Sequence, residues 1–101
     1  MPTGSPGYEW DEAKRQTNLS KHHLDFLDAS ALFDGRPRVD GPAIFRDEAR
    51  IFTVAMLEGL FVTLIWTWRG PNRRLISFRR ARDAETRAYR QLCPGRDERD
   101  G

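Results

Sequence analysis

Lysine is almost missing from this chain. Of 17 cationic residues only Lys14 and Lys21 are lysines, and the rest are arginines. Cysteine is scarcer still. Cys93 stands alone, so no internal disulfide can form, which fits a reducing cytoplasm. No apolar run is long enough for a bilayer: Leu60 to Trp66, interrupted only by Thr63, is far too short. Met1 to Gly7 is rich in Pro, Gly and Ser but has no charged segment followed by an apolar one, so no secretory signal is expected. There is no Gly-rich phosphate loop, no helix-turn-helix signature and no Ser/His/Asp array. The two histidines, His22 and His23, are adjacent and diverge on a helix, and Cys93 has no partner at ligand spacing. No metal or cofactor is expected.

What remains is a soluble-type composition, 39% hydrophobic and 32% charged over 101 residues, with room for one domain. Net charge is only +2, but it is unevenly spread. Between Arg69 and Arg90 eight arginines face two acids, Asp83 and Glu85, a local excess of +6. Arginine's planar fork binds phosphate bidentately, so the bias toward arginine suits nucleic acid, although a solvated surface has the same composition. Three tryptophans and six phenylalanines are many for so small a core, and an apolar patch left outside would mark a protein interface.

The pattern along the chain predicts an α+β fold. Residues 1–7 read as a flexible lead-in, 8–92 as a single domain and 93–101 as a disordered charged tail. Tyr8-Glu9-Trp10 is a short extended entry. Asp11 caps a polar helix to Lys21 in which only Ala13 and Leu19, with Trp10, are apolar enough to pack inward. Asp25 caps a second helix to Phe33, stopped by Gly35. Residues 36–42 are compatible with a short edge strand and a loop. Ile51–Leu57, Leu60–Trp68 and Arg74–Arg79 read as strands joined at Glu58-Gly59 and at Arg69-Gly70-Pro71-Asn72. Asp83–Leu92 is a last helix with Ala84, Ala88 and Leu92 at four-residue spacing, ended by Pro94-Gly95. Two N-terminal helices, an antiparallel sheet of three to four strands and a C-terminal helix are therefore expected. The helices should cover one sheet face and leave the other partly open. Strand alternation puts Ile76 with Phe78, and Ser77 with Arg79, so that Thr67, Arg69, Ser77 and Arg79 can meet on the open face if the register allows.

The order of motifs resembles the BrnT family of ribonuclease toxins from type II toxin–antitoxin systems. Tyr8-Glu9-Trp10-Asp11 with Lys14, Asn18 and His22 is similar to the family opening. Asp25-Phe26, Ala29 and Phe33-Asp34 follow; then come Thr67-x-Arg69, Leu75-Ile76-Ser77-Phe78-Arg79-Arg80-Ala81, and Glu85 with Tyr89. The chain departs from that pattern at His23 and at Asp47 (in Asp47-Glu48-Ala49-Arg50), where the family usually has Gly, at Phe78, where it has Ala, and at Arg82, where it has a Thr cap. The last change leaves Asp83 to cap the final helix.

The resemblance implies a RelE-like cytoplasmic endoribonuclease that inhibits translation. It further implies a ribbon-helix-helix antitoxin that neutralises the toxin in a heterotetramer and alone contacts DNA, with RNA as substrate and the ribosome as a further partner. Cleavage through the substrate's own 2′-hydroxyl needs no metal, only a base, an acid and cations around the phosphorane. Arg79 is the first candidate for the transition state, with an ion pair to Glu85 or Glu48 as its alternative. His22 is the candidate acid or base, or else a helix-closing residue. Glu85 is a candidate base, or a carboxylate placed for the helix dipole. Arg50, Arg69, Arg80, Lys14, Lys21 and Tyr89 are candidate RNA or phosphate contacts, each with a structural alternative: solvated cations for the first five and a helix–sheet packing role for Tyr89. A non-catalytic module binding RNA, ribosome or protein is the rival reading, and a decayed toxin kept as a structural partner is a third.

Overall fold

The computed structural model describes residues 7–93. The expected lead-in over 1–7 and tail over 93–101 lie outside them, apart from Gly7 and Cys93. Strand β1 (Tyr8–Glu9) leads into helix α1 (Glu12–His22) and a 3-10 helix (Phe26–Phe33). Strands β2 (Arg38–Phe45), β3 (Glu48–Leu57), β4 (Leu60–Arg69) and β5 (Asn72–Arg80) follow, and helix α2 (Asp83–Leu92) comes last.

The α+β class holds, but the expected architecture of two N-terminal helices with a three-to-four-stranded antiparallel RelE-like sheet is overturned. The sheet has five strands in the order β1-β5-β4-β3-β2, and it is mixed. Tyr8 and Glu9 pair in parallel with Arg73 and Arg74, and the Arg73 N–H donates to the Gly7 carbonyl at 2.9 Å. At the other edge β2 runs for eight residues in full register with β3, from Arg38 opposite Ala55 to Phe45 opposite Glu48. Pro42 is tolerated there because an edge strand has a free side on which a missing donor costs nothing.

Tight turns fix the meander. Arg46-Asp47 and Glu58-Gly59 are two-residue loops with positive φ at both positions, the signs of a type I′ hairpin turn. The third loop, Gly70-Pro71, has positive φ at Gly70 alone, as a type II′ turn requires.

The second helix is 3-10 rather than α. Its buried residues are Phe26, Ala29 and Leu32, spaced by three, which is the period of a 3-10 turn. In α1 the inward residue is Asn18, not Ala13 or Leu19. Its carboxamide donates to the Leu24 carbonyl at 2.9 Å and the Phe78 carbonyl at 2.8 Å, and accepts from the Phe78 N–H at 3.0 Å. A side chain thus completes the β5 edge beyond the two residues of β1.

Helices cover both faces of the sheet, not one. Trp10, Phe26, Ala29 and Leu32 pack on Ala55, Val62, Leu64, Trp66, Leu75 and Phe78. On the reverse, Tyr89 of α2 packs with Val39 and Val54 and reaches Phe52, Met56 and Phe61. Adjacent β3 residues Val54 and Ala55 enter different clusters because successive side chains of a strand alternate.

Candidate functional site

Two helix ends and one strand end meet at a corner of the sheet. α1 stops at His22 because His23 takes a left-handed conformation, φ 61°, and its N–H closes on the Leu19 carbonyl at 2.9 Å. This is the position where the motif order favours glycine, and the turn keeps its handedness without one. The exit is fastened by Arg15, whose guanidinium donates to both oxygens of Asp25 at 2.8 and 3.1 Å. Two residues after β5 ends, Arg82 takes the N-cap position of α2. The cap bond comes from Glu85, whose Oε1 accepts the Arg82 backbone N–H at 2.7 Å, and not from Asp83 as the sequence led us to expect.

Between these ends lies an open cleft of about 510 Å³, lined by Lys21, His22, His23, Leu24, Leu60, Arg79, Arg80 and Arg82. Among the described residues, Lys21, Arg80 and Arg82 have no carboxylate partner. Arg79 has one. Its two terminal nitrogens each donate to a different Glu85 oxygen at 2.9 Å, and both side chains are largely buried. Thr63, fully buried and opposite Arg79 in the sheet, donates its hydroxyl to Glu85 at 2.9 Å. Burial alone would raise the Glu85 carboxyl. The Arg79 fork, the Arg82 N–H and the Thr63 hydroxyl outweigh it and hold the group at about 2. Glu85 is therefore ionised at neutral pH, behind the cleft.

His22 is displaced the other way for an imidazole. Partial burial, then the charges of Lys21 and Arg79 and the neighbouring His23, push its pKa below the ordinary 6.5. At neutral pH it is an uncharged ring set among cations, able to accept a proton. An anion held by those cations and a proton acceptor beside it are what the arrangement provides.

A smaller cleft of about 280 Å³ adjoins the first and shares Lys21 and His22 with it. It runs between α1 and β5 and is lined further by Ala13, Lys14, Thr17, Asn18, Ile76 and Ser77.

The structure thus brings together Arg79, His22, Arg80 and Lys21, with Glu85 directly behind and Lys14 in the adjoining cleft. The other candidates lie elsewhere. Arg69 is six residues along β4 from Thr63, roughly 20 Å, and is exposed beside Glu9 at 3.7 Å. Arg50 pairs with Glu48 at 2.6 Å and lies over the Phe45 ring. Tyr89 is buried against Phe61, with ring centroids 5.4 Å apart. The expected gathering of Thr67, Arg69, Ser77 and Arg79 does not form, since α2 occupies part of that face and Arg69 and Arg79 sit at opposite strand ends. His23, Leu24, Leu60 and Arg82 also line the larger cleft and were not among the sequence candidates. The arginine run contains Arg82, but only the N-cap geometry aims it at the cleft.

The sequence model of a family described as the ribonuclease toxin BrnT of type II toxin–antitoxin systems matches residues 10–85. The chain belongs to the BrnT family. No curated protein matches the chain. The BrnT match runs from Trp10 to Glu85 and so contains every residue of the larger cleft, the Glu85 that braces it and the whole of the smaller cleft. Membership makes this an RNA-cleaving toxin with an antitoxin partner. Tyr89 lies beyond the BrnT match. Among the described residues no helix is long and apolar enough to cross a membrane, and no group of three His, Cys, Asp or Glu side chains comes together.

Proposed function

We propose that the larger cleft is the ribonuclease centre and that it cleaves RNA by metal-independent transesterification. The observation that carries this reading is the uncharged His22 placed among Lys21, Arg79, Arg80 and Arg82 in one cleft. The cations hold the scissile phosphate. His22 removes the proton of the 2′-hydroxyl, the 2′-oxygen attacks phosphorus, and the bond to the 5′-oxygen breaks as that oxygen takes a proton from water. The product is a 2′,3′-cyclic phosphate and a free 5′-hydroxyl. Arg79 meets the charge that builds on the phosphorane, and Glu85 fixes its guanidinium so that no reorganisation is needed at that moment. Arg80, Arg82 and Lys21 bind flanking phosphates, and Lys14 does so from the adjoining cleft.

One toxin domain over residues 8–92 carries this centre. In the cytoplasm its cleavage of mRNA inhibits translation, free or on the ribosome. A ribbon-helix-helix antitoxin neutralises it in a heterotetramer and supplies the only DNA contact.

The test is end-labelled mRNA incubated with purified protein, with and without translating ribosomes, beside Arg79→Ala. Discrete fragments ending in cyclic phosphate, lost in the variant, support the reading. A second reading, a binding module without catalysis, is favoured by the Arg79–Glu85 pair, which occupies the central guanidinium and takes Glu85 out of acid–base work. Intact RNA in every lane, retarded on a native gel, would select it.

A further inference from the structure

The geometry points to the smaller cleft, between α1 and β5, as a nucleobase subsite that selects the nucleotide next to the cleaved bond; this rests on the ribonuclease reading of the larger cleft. Three features of the fold build it. The first is continuity. The two clefts share Lys21 and His22, so they adjoin, and a strand whose phosphate sits at the cation cluster has the smaller cleft as its immediate neighbour. Lys14 stands two helical turns before Lys21, about 10 Å along α1, and has no carboxylate partner among the described residues. The path is therefore cationic at both ends, complementary to a polyanion.

The second feature is a bulge. The pairing of β4 with β5 slips at Ile65/Trp66: Ile65 faces Ser77 while Trp66 faces Leu75, which leaves Ile76 unpaired. The core is filled by Leu75 and Phe78 instead, and Ile76 turns to the cleft. The sequence predicted Ile76 and Phe78 on one face, and the bulge is why they part. Bulges of this kind re-aim a side chain beside a site. Ile76 and Ala13 then form apolar walls for the flat face of a base.

The third feature is the hydrogen-bonding edge. Asn18 cannot read a base, because its carboxamide is already committed to Leu24 and Phe78; it is a rigid floor. Ser77 can. Its hydroxyl has no partner among the described residues, although the side chain is partly buried. Thr17 donates to the Ala13 carbonyl at 3.1 Å, which leaves its oxygen as an acceptor. An apolar slot with one free hydroxyl and one oriented acceptor fits a base of single-stranded RNA.

The experiment maps cleavage of an RNA pool randomised on both sides of the scissile bond, using the full chain, Ala13→Leu to fill the slot and Ser77→Ala to remove its hydroxyl. We expect a preference at one flanking position in the wild type, reduced about tenfold by either variant. A variant that merely misfolds lowers cutting of all RNAs by one factor and leaves the ratios untouched. Unchanged ratios in both variants, with wild-type cutting intact, would overturn the subsite and spare the ribonuclease centre. If the wild type cuts nothing, the parent reading fails. The subsite is then read by fluorescence anisotropy of a short single-stranded RNA: at least fivefold weaker binding by Ala13→Leu supports it, and equal binding overturns it.

Discussion

Asn18 and Phe78, 60 residues apart, exchange two hydrogen bonds as though the side chain were a neighbouring strand. The carboxamide presents a donor and an acceptor with the geometry of a peptide group, and it does so where β1 has ended and the sheet edge would otherwise be bare. Asn18→Ala strands a buried N–H and a buried carbonyl, and should lower unfolding stability by about 3 kcal/mol. Asn18→Asp keeps the acceptor but sets a carboxylate against two carbonyl oxygens, and should cost more at pH 7 than the alanine does. Urea titration of the three proteins checks both the size and the order. An aspartate variant as stable as the wild type would mean the Phe78 carbonyl finds another donor.

The Arg79–Glu85 pair gives a second expectation, with a sign that can be worked out. Glu85 is held at about 2 against an ordinary 4.5, so the folded chain prefers the ionised form. Its contribution to stability is present above pH 4.5 and fades as pH falls toward 2. Glu85→Gln removes that dependence. The stability gap between wild type and variant should be largest near neutrality and close in acid. On activity, Arg79→Ala should lose about 10²-fold in kcat, and Glu85→Gln less, since the guanidinium remains but is no longer locked. Thermal melts across pH and single-turnover cleavage separate the two effects.

Much of this arrangement could be read before the fold was known. Asp11 and Asp25 cap the helices they were expected to cap, and the hairpin turns fall at Glu58-Gly59 and Gly70-Pro71. The motif order pointed to the family. Other features left no local trace. A two-residue parallel strand has no alternation to detect. Spacings of three and of 3.6 cannot be told apart over the eight residues from Phe26 to Phe33. The bulge at Ile76 is a matter of register, which depends on the partner strand and not on β5 itself. Arg69 and Arg79 resemble each other as strand-end arginines in sequence, and only the pairing shows that they sit at opposite ends of the sheet. His22, Lys21, Arg79 and Arg80 do meet, because the end of α1 and the end of β5 are stitched together by Asn18.

His22 predicts the shape of the pH profile. Its folded pKa lies below 6.5, so at neutrality the unprotonated, base-competent form predominates. Log kcat/KM should rise with pH in the acid range, bend at a value under 6.5 and then run flat past 7. Because the shift comes from burial first and then from Lys21 and Arg79, Lys21→Gln should move the bend upward, toward 6.5. The same depressed pKa means that protonation disfavours the folded form, so this group's contribution to stability is present above 6.5 and is lost as pH falls through the folded value. A bend above 6.5, or a profile unchanged in His22→Gln, would remove His22 from the reaction.

Gly41 sits directly opposite Phe52 in the β2–β3 pair, and the phenyl ring lies over it. A methyl group built on Gly41 would stand 2.5 Å from Cζ and 2.6 Å from Cε2 of that ring. Two effects oppose each other in Gly41→Ala. Replacing glycine inside a strand normally gains about 0.5–1 kcal/mol from chain entropy. The clash costs about 1–3 kcal/mol, because the ring is hemmed in by Val39, Val54 and Tyr89 and has little room to swing. The clash should win, and the variant should melt below the wild type. Shortening the opposing side chain in Gly41→Ala/Phe52→Leu should recover most of the loss relative to Phe52→Leu alone, which isolates the contact from any general intolerance of β2. A Gly41→Ala protein that melts above the wild type would show that the ring moves freely, and with it that α2 packs less firmly on this face than the Tyr89 contacts require.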